Sequence, residues 1–479
     1  MIQFRKVSLS HRPTIEKYLL QSSSLICDAT FSSLYMWQEA YNTCWAEVAG
    51  ALVVRFDLSE EEDDVDGYMV VASEQFYAME ESVDCLYRSL VADAEQYSRP
   101  LRFVCMSQRA ADSFLEWADK NYRAEQLGYK AVAGRRCFAV SDNPDYRDYI
   151  YSLEDLSLLA GRKYQPKRNF TNRFESKYNF TFEPLTPSDF EQCLMLECRW
   201  QRQKMQAQGA MVEVRNRVEH ECPPSEERMA ICHAFDAYDE MGLVGGVLKV
   251  EGRVVAFTYG SALNEEVFCT HIEKADASYE GAFQMINRSF SKMLLEKGYK
   301  MVNREEDMGI AGLRRAKQSC YPVMMQEKLS LRALTPRELS SCKLWQEVFD
   351  DEQEFIDLFM IEVYRPENML VVEQQGRVVA MLHIVEMQTS IGRAGYLYAI
   401  ATAAEYRGRG YASQLLDKAL RLMRERAYDV AMLIPANDAV KPFYERFGFV
   451  DRAFEVDFSE GVYLGTGDKQ ADLAMVATL

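Results

Sequence analysis

No run of apolar residues in these 479 approaches the ~20 needed to cross a membrane. The opening stretch, Met1 to Pro13, lacks the apolar segment of a secretory leader, so a cytoplasmic protein without a transmembrane segment is expected. Cysteine occurs twelve times, yet no two are spaced as Cys-x-x-Cys, and the five histidines do not cluster with them. Neither zinc nor dithiol chemistry is expected from such spacing, and no metal cofactor. Basic charge is short as well: 55 Lys and Arg stand against 73 Asp and Glu, a net charge of −18. General binding to nucleic acid or anionic membrane is thereby disfavoured, and a polyanion must find a local patch. Low-complexity segments and long linkers are missing too. With 48% hydrophobic and 12% aromatic residues, the length suits roughly three packed domains.

What is present centres on residues 395 to 420. Tyr396 to Thr402 is short, apolar and aromatic, which suits a buried strand. It leads into Arg407-Gly408-Arg409-Gly410-Tyr411-Ala412, after which Ala412, Leu415, Leu416, Ala419 and Met423 recur at helical spacing. Strand, glycine-rich turn and helix start form an anion site: glycine lets the backbone come close, and the unpaired N–H groups of the first helical turn point at the anion. A Walker A loop would need Gly-Lys-Ser/Thr, and a Rossmann turn would need a third glycine; both are lacking here. Asp429 to Pro435 reads as the next strand, followed by Asn437 and then Phe443-Tyr444-Glu445-Arg446-Phe447-Gly448-Phe449.

Arg407-x-x-Gly410-x-Ala412 resembles the pyrophosphate-binding motif of the GNAT acyltransferase superfamily, and Asn437 followed by Tyr444-x-x-x-Gly448-Phe449 resembles its second signature. Upstream, Gly161 to Asn169, His271 to Ala275, Asn303 to Ile310 and Leu313 to Lys317 resemble the C-terminal catalytic region of phosphatidylglycerol lysyltransferase. That family is built from two tandem GNAT-like folds. The two resemblances together imply an α/β fold of three GNAT-like units, mixed sheets flanked by helices, at 1–140, 141–330 and 331–479, with a junction near Ala333 to Pro336.

The resemblance further implies acetyl coenzyme A as co-substrate. Arg407, Gly408, Arg409, Gly410, Tyr411 and Ala412 would hold its pyrophosphate, and Ile400 and Thr402 lie on the strand whose amides would face the acyl group. The expected reaction is direct attack of a small-molecule or peptide amine on the thioester. For Tyr444 two roles stand, general acid to the departing thiolate and packed aromatic; for Asn437, coenzyme contact and structural amide. The base is unassigned among Glu405, Glu373, Glu386 and His383. In the middle unit the matching turn reads Tyr279-Glu280-Gly281-Ala282, without the arginine and with a glutamate that repels phosphate. Relatives of that unit use aminoacyl-tRNA, so an aminoacyl transferase acting through residues 1–330 is the alternative; a non-catalytic scaffold is a third reading. Arg162, Lys163, Lys167, Arg168, Arg173 and Lys177, interleaved with Tyr164, Phe170, Phe174 and Tyr178, form a basic patch. It suits either tRNA or lipid phosphate, or a solvated face with the aromatics packed inward.

Overall fold

The computed structural model describes residues 2–57, 66–97, 100–121, 137–207, 225–451 and 474–479. The acidic run that begins at Ser59 lies outside them through residue 65. The architecture is α/β, with mixed sheets flanked by helices. Two compact units are formed, one by 1–114 with 142–329 and the other by 115–141 with 330–479.

In the first unit, Arg5–Lys6 (β1), Cys44–Val48 (β2), Ala51–Asp57 (β3), Asp66–Val71 (β4) and Arg102–Met106 (β5) are neighbours in chain order. The first four run antiparallel and β5 is parallel to β4. Between β2 and β3 the chain folds back at Ala49 and Gly50, where φ is 51° and 93°. Two successive positive φ values make the tight turn whose twist matches a hairpin.

A second sheet lies within the same unit. Phe180–Pro184 (β8), Val244–Val250 (β9), Arg253–Ala262 (β10) and Val267–Ala275 (β11) form an antiparallel meander. Met301–Asn303 (β12) is parallel to β11, and Asp148–Ser152 (β7) and Met324–Gln326 (β13) follow. The turn between β9 and β10 at Glu251-Gly252 again has both φ positive. One apolar core joins Leu52, Val54 and Met69 of the first sheet to Val247, Phe257 and Ile272 of the second.

In the other unit, Phe138–Asp142 (β6) neighbours Leu329–Ala333 (β14). Met369–Gln374 (β15), Arg377–Thr389 (β16), Gly392–Thr402 (β17) and Val430–Leu433 (β18) build the main sheet. Met475–Thr478 (β20) lies beside β18, and Val450–Asp451 (β19) is at the edge. Helix Tyr411–Glu425 carries the parallel crossover from β17 to β18. It buries Leu415, Leu416, Ala419, Leu420 and Met423. This is the face its periodicity predicts, and each buried leucine contributes about 1.5–3 kcal/mol. Ala412 stays half-exposed at its start. Among the described residues, no helix is long and apolar enough to cross a membrane.

Candidate active site

β17 is held on one side along its length, pairing with β16 from Gly392 to Thr402. On the other side its pairing with β18 covers only Ala394 to Tyr396. Beyond Tyr396 the two strands part, and residues 397–402 present a strand edge with no partner there among the described residues. At the parting point β17 carries a bulge: Ala399 and Ile400 together face Leu382 of β16, and Ala399 has φ 49°. A bulge of this kind twists the strand and re-aims its backbone groups. Ile400 and Thr402 lie on this freed edge.

The glycine turn follows directly. Gly408 and Gly410 have φ 76° and 80°, and Gly410 caps helix Tyr411–Glu425 without any side-chain bond. A Cβ built at either glycine would meet nothing within 4 Å, so the space over the helix end is open. Among the described residues, the N–H groups from Gly408 to Ser413 meet no acceptor. The Arg407 Nε donates to the Thr402 carbonyl at 3.2 Å, tying the turn to the end of β17. The Arg409 guanidinium donates to the Glu405 carbonyl at 3.2 Å and lies 4.8 Å from the Tyr406 ring centre. Neither arginine is in an ion pair among the described residues, so both keep their charge for an incoming anion. Tyr411 and Ala412 form the first helical turn. These residues fit a pyrophosphate.

Asn437 and Tyr444 have plainer settings. The Asn437 side chain accepts from the Ala439 N–H at 3.0 Å and is exposed, so it caps its own short turn. Tyr444 is half-buried between Phe443 and Phe449 against the core. Burial raises its phenol above the ordinary value, which keeps its proton in place at neutral pH.

The four base candidates separate by environment. Glu373 is paired with Arg337 at 2.6 Å, Glu405 with Arg377 at 2.7 Å, and Glu386 with Arg393 at 2.7 Å. The hydrogen bond from Arg393 holds Glu386 below the ordinary carboxylate range, and Glu405 is held below it by a backbone hydrogen bond and Arg377, which weakens both as bases. His383 stands opposite Tyr398 in the β16–β17 register, ringed by Trp345, Phe359 and Tyr364. Its Nε2 is buried without a partner, and burial lowers the imidazole to about 3. It is therefore neutral, and too weak to hold a proton at physiological pH.

The first unit shows what closes such a turn. Gly281 caps helix Ala282–Glu296 with φ 91°, as Gly410 does its own helix. Here a Cβ would lie 2.5 Å from the Phe170 carbonyl and 3.2 Å from the Phe174 side chain. Helix Gln165–Lys177 occupies the space that pyrophosphate would need. That helix and the residues just before it bear the basic patch, of whose six cations three are engaged. Lys163 pairs with Asp155 at 3.3 Å and Arg173 with Glu280 at 2.8 Å, while Arg168 donates to the Gly161 carbonyl at 2.7 Å. Arg162 is exposed and Lys167 half-buried, neither with an ion-pair partner among the described residues. Phe174 is buried as the helical spacing predicts, whereas Phe170 is 37% exposed.

Two buried groups in this unit escaped sequence reasoning. Lys328 places its ammonium 2.8 Å from Asp148, 2.9 Å from Glu306, 2.7 Å from Asp28 and 3.1 Å from the Cys27 thiol. The neighbouring carboxylates hold that ammonium well above its ordinary range. The second group corrects the statement that histidine and cysteine do not cluster. The His271 Nδ1 lies 3.7 Å from the Cys269 thiol and 3.0 Å from the Glu305 carboxylate. The signal was the Cys-x-His spacing on a strand, obscured because the third residue comes 34 positions later.

Comparison with known proteins adds the following. Residues 21–331 match the family model for the C-terminal region of phosphatidylglycerol lysyltransferase, and residues 330–450 match a GNAT acetyltransferase domain. A conserved protein of unknown function from Bacteroides thetaiotaomicron is 32% identical, with a TM-score of 0.56, covering 70% of this chain and 100% of its own. L-PGS from Bacillus licheniformis is 13% identical, with a TM-score of 0.44, over 67% of this chain and 91% of its own. The Escherichia coli GNAT protein YhbS, solved with CoA, is 17% identical, with a TM-score of 0.24, over 30% of this chain and 77% of its own. Among curated proteins none matches.

Proposed function

Because the chain belongs to the phosphatidylglycerol lysyltransferase C-terminal family and carries a GNAT acetyltransferase domain behind it, we propose that this acyltransferase uses its two units for different donors, acetyl coenzyme A serving the C-terminal one. The observation that carries the reading is the open helix end at Gly410, with its unpartnered N–H groups and two arginines free of ion pairs. The coenzyme, when bound, supplies an acyl thioester. The turn at Arg407 to Ala412 would bind its pyrophosphate, and the freed edge of β17 at Ile400 to Thr402 would hold the acyl carbonyl by N–H donation. Tyr444, kept protonated by burial, would donate its proton to the departing thiolate. The acceptor in this reading is an amine, and its proton leaves through water, since the three carboxylates are ion-paired and His383 is buried.

Isothermal titration of the full chain with acetyl coenzyme A tests this. The variant Arg407→Ala with Gly410→Glu is expected to bind about 100-fold more weakly, the loss of charge-assisted contacts worth about 1.5–3 kcal/mol each. Unchanged affinity in that variant, or no binding by the wild type, sinks the reading.

A second donor for the first unit is favoured by one observation, the closure of the Gly281 helix end by Phe170. With the pyrophosphate space filled, aminoacyl-tRNA is the donor that suits this unit, as for the relatives the sequence resembles, with a lipid or peptide as acceptor. Filter retention of charged tRNA at low salt is the measurement. Neutralising Arg162 and Lys167, two cations of the patch without an ion pair among the described residues, should weaken retention and flatten its salt dependence.

A further inference from the structure

The side chains of Cys269, His271 and Glu305 converge on one point inside the first unit. We infer that they form a binding site for one divalent transition-metal ion, zinc by its donor set, with a fourth position open toward the exposed side of Glu305. This site is separate from the coenzyme turn and does not depend on the acetyltransferase reading.

The geometry comes first. Zinc bonds of about 2.0–2.3 Å at tetrahedral angles place the donor atoms roughly 3.3–3.6 Å apart. Here sulfur and Nδ1 are 3.7 Å apart, sulfur and carboxylate oxygen 4.0 Å, and Nδ1 and that oxygen 3.0 Å. Small side-chain movements bring all three to bonding distance of one ion. Thiolate, imidazole and carboxylate together suit a borderline-soft ion.

The frame holding these atoms is built for them. His271 is the extra residue of a bulge in β11, because Tyr259 pairs with Ile272 and Gly260 with Thr270. Cys269 and His271, two residues apart on β11, bring thiol and imidazole to 3.7 Å of each other. Gly260 permits the bulge, since a Cβ there would lie 1.8 Å from the Cys269 carbonyl. The other ring nitrogen, Nε2, is 2.8 Å from the Ser261 hydroxyl. With Nε2–H donating to that oxygen, Nδ1 is left as a lone-pair donor, the outer contact typical of metal-bound histidine. Glu305 has φ 58°, its N–H donates to the Asn303 side chain at 2.7 Å, and its carbonyl accepts from Lys317 at 3.2 Å. The Cys269 residue is fully buried and the His271 side chain is 1% exposed, but that of Glu305 is 28% exposed. An ion held there is dry on two sides and reachable on the third, as in zinc sites that keep one position for water or substrate.

The neighbouring group serves as a contrast. Cys27, Asp148 and Glu306 also bring a thiol and two carboxylates together, but the Lys328 ammonium already stands among them. Among the described residues, no cationic side chain stands within hydrogen-bonding distance of the Cys269 thiol or the Glu305 carboxylate except His271 itself. Ser261, His271 and Glu305 also form the line of nucleophile, base and orienting acid. That reading gives no role to the thiol beside the same Nδ1, and Ser261 is buried. Zinc binding would displace the thiol proton to solvent, so affinity should rise with pH.

The test uses the full chain, stripped with a chelator and titrated with Zn2+ and, as a spectroscopic probe, Co2+. One equivalent is expected to bind, with a thiolate-to-cobalt charge-transfer band that disappears in Cys269→Ser and persists in Cys85→Ser. Ser261→Ala should weaken binding about tenfold while keeping the band. Should Cys269→Ser fail to fold, X-ray absorption on the zinc-loaded wild type decides. One sulfur at about 2.3 Å with nitrogen or oxygen ligands at about 2.0–2.1 Å supports the site; a shell without sulfur overturns it. No bound equivalent, a band that survives Cys269→Ser, or labelling of Ser261 by a fluorophosphonate in a chain that takes no metal, would each overturn it.

Discussion

His383 is neutral because of what surrounds it. An unfolded imidazole titrates near 6.5, whereas burial takes this one down to about 3. Below pH 6.5 the unfolded chain therefore binds the extra proton and the folded one does not. The contribution is complete above that pH and declines toward pH 3, by about 1.4 kcal/mol per unit. Urea midpoints measured between pH 7 and 4.5 should fall accordingly, and His383→Leu should flatten the decline. Lys328 behaves oppositely: replacing it by Met leaves Asp148, Glu306 and Asp28 without their counter-charge. A loss of about 3–5 kcal/mol in unfolding free energy is expected, measured by urea denaturation. The glycine turn before helix Tyr411–Glu425 was legible because such a turn is local, written in consecutive residues. His383, Lys328 and the Cys269 group were not, because their partners arrive from distant strands and helices, and burial is a property of the packing.

Among the elements, the hairpins were the easiest to read, since Glu251-Gly252 and Gln375-Gly376 need left-handed backbone and have residues that supply it. The break at Ala49-Gly50 was hidden inside a continuous apolar run, where periodicity does not mark a turn. The parting of β17 from β18 was expected only through resemblance, because register depends on the partner strand. Close packing sets one more limit on β17. A Cβ at Gly395 would lie 2.3 Å from the terminal carbon of Met423 and 3.2 Å from the Ile384 side chain. Gly395→Val should force helix Tyr411–Glu425 away from the sheet, with a cost of about 1–3 kcal/mol in stability. Acetyl coenzyme A binding should weaken with it, because the glycine turn sits at that helix's start; thermal unfolding and titration of the same preparation measure both.

At the scale of the molecule, the order of the chain and the order of the units differ. Residues 115–141 belong with 330–479, although the 188 residues from 142 to 329 separate them in sequence. The Leu334 N–H donates to the Cys137 carbonyl at 2.9 Å, and the Val140 N–H donates to Asp357 at 3.2 Å. Composition has no means of showing such a return, because each segment is ordinary α/β sequence by itself. A chain ending at residue 330 would keep Trp117, Ala118, Phe138 and Ala139 without the segment that completes their unit. It should bind a hydrophobic dye and elute as aggregate on size exclusion, where the full chain does not.

The same return governs synthesis. As the chain leaves the ribosome, 115–141 emerges long before the strands that will receive it, and it must wait while the first unit is completed through residue 329. The C-terminal unit cannot close until β20 has been made. A ribosome stalled between β16 and β20 would thus leave one unit able to finish and the other with its earliest piece stranded. Completion of the C-terminal unit therefore waits for β20, and the helix that begins after Gly410 waits with it.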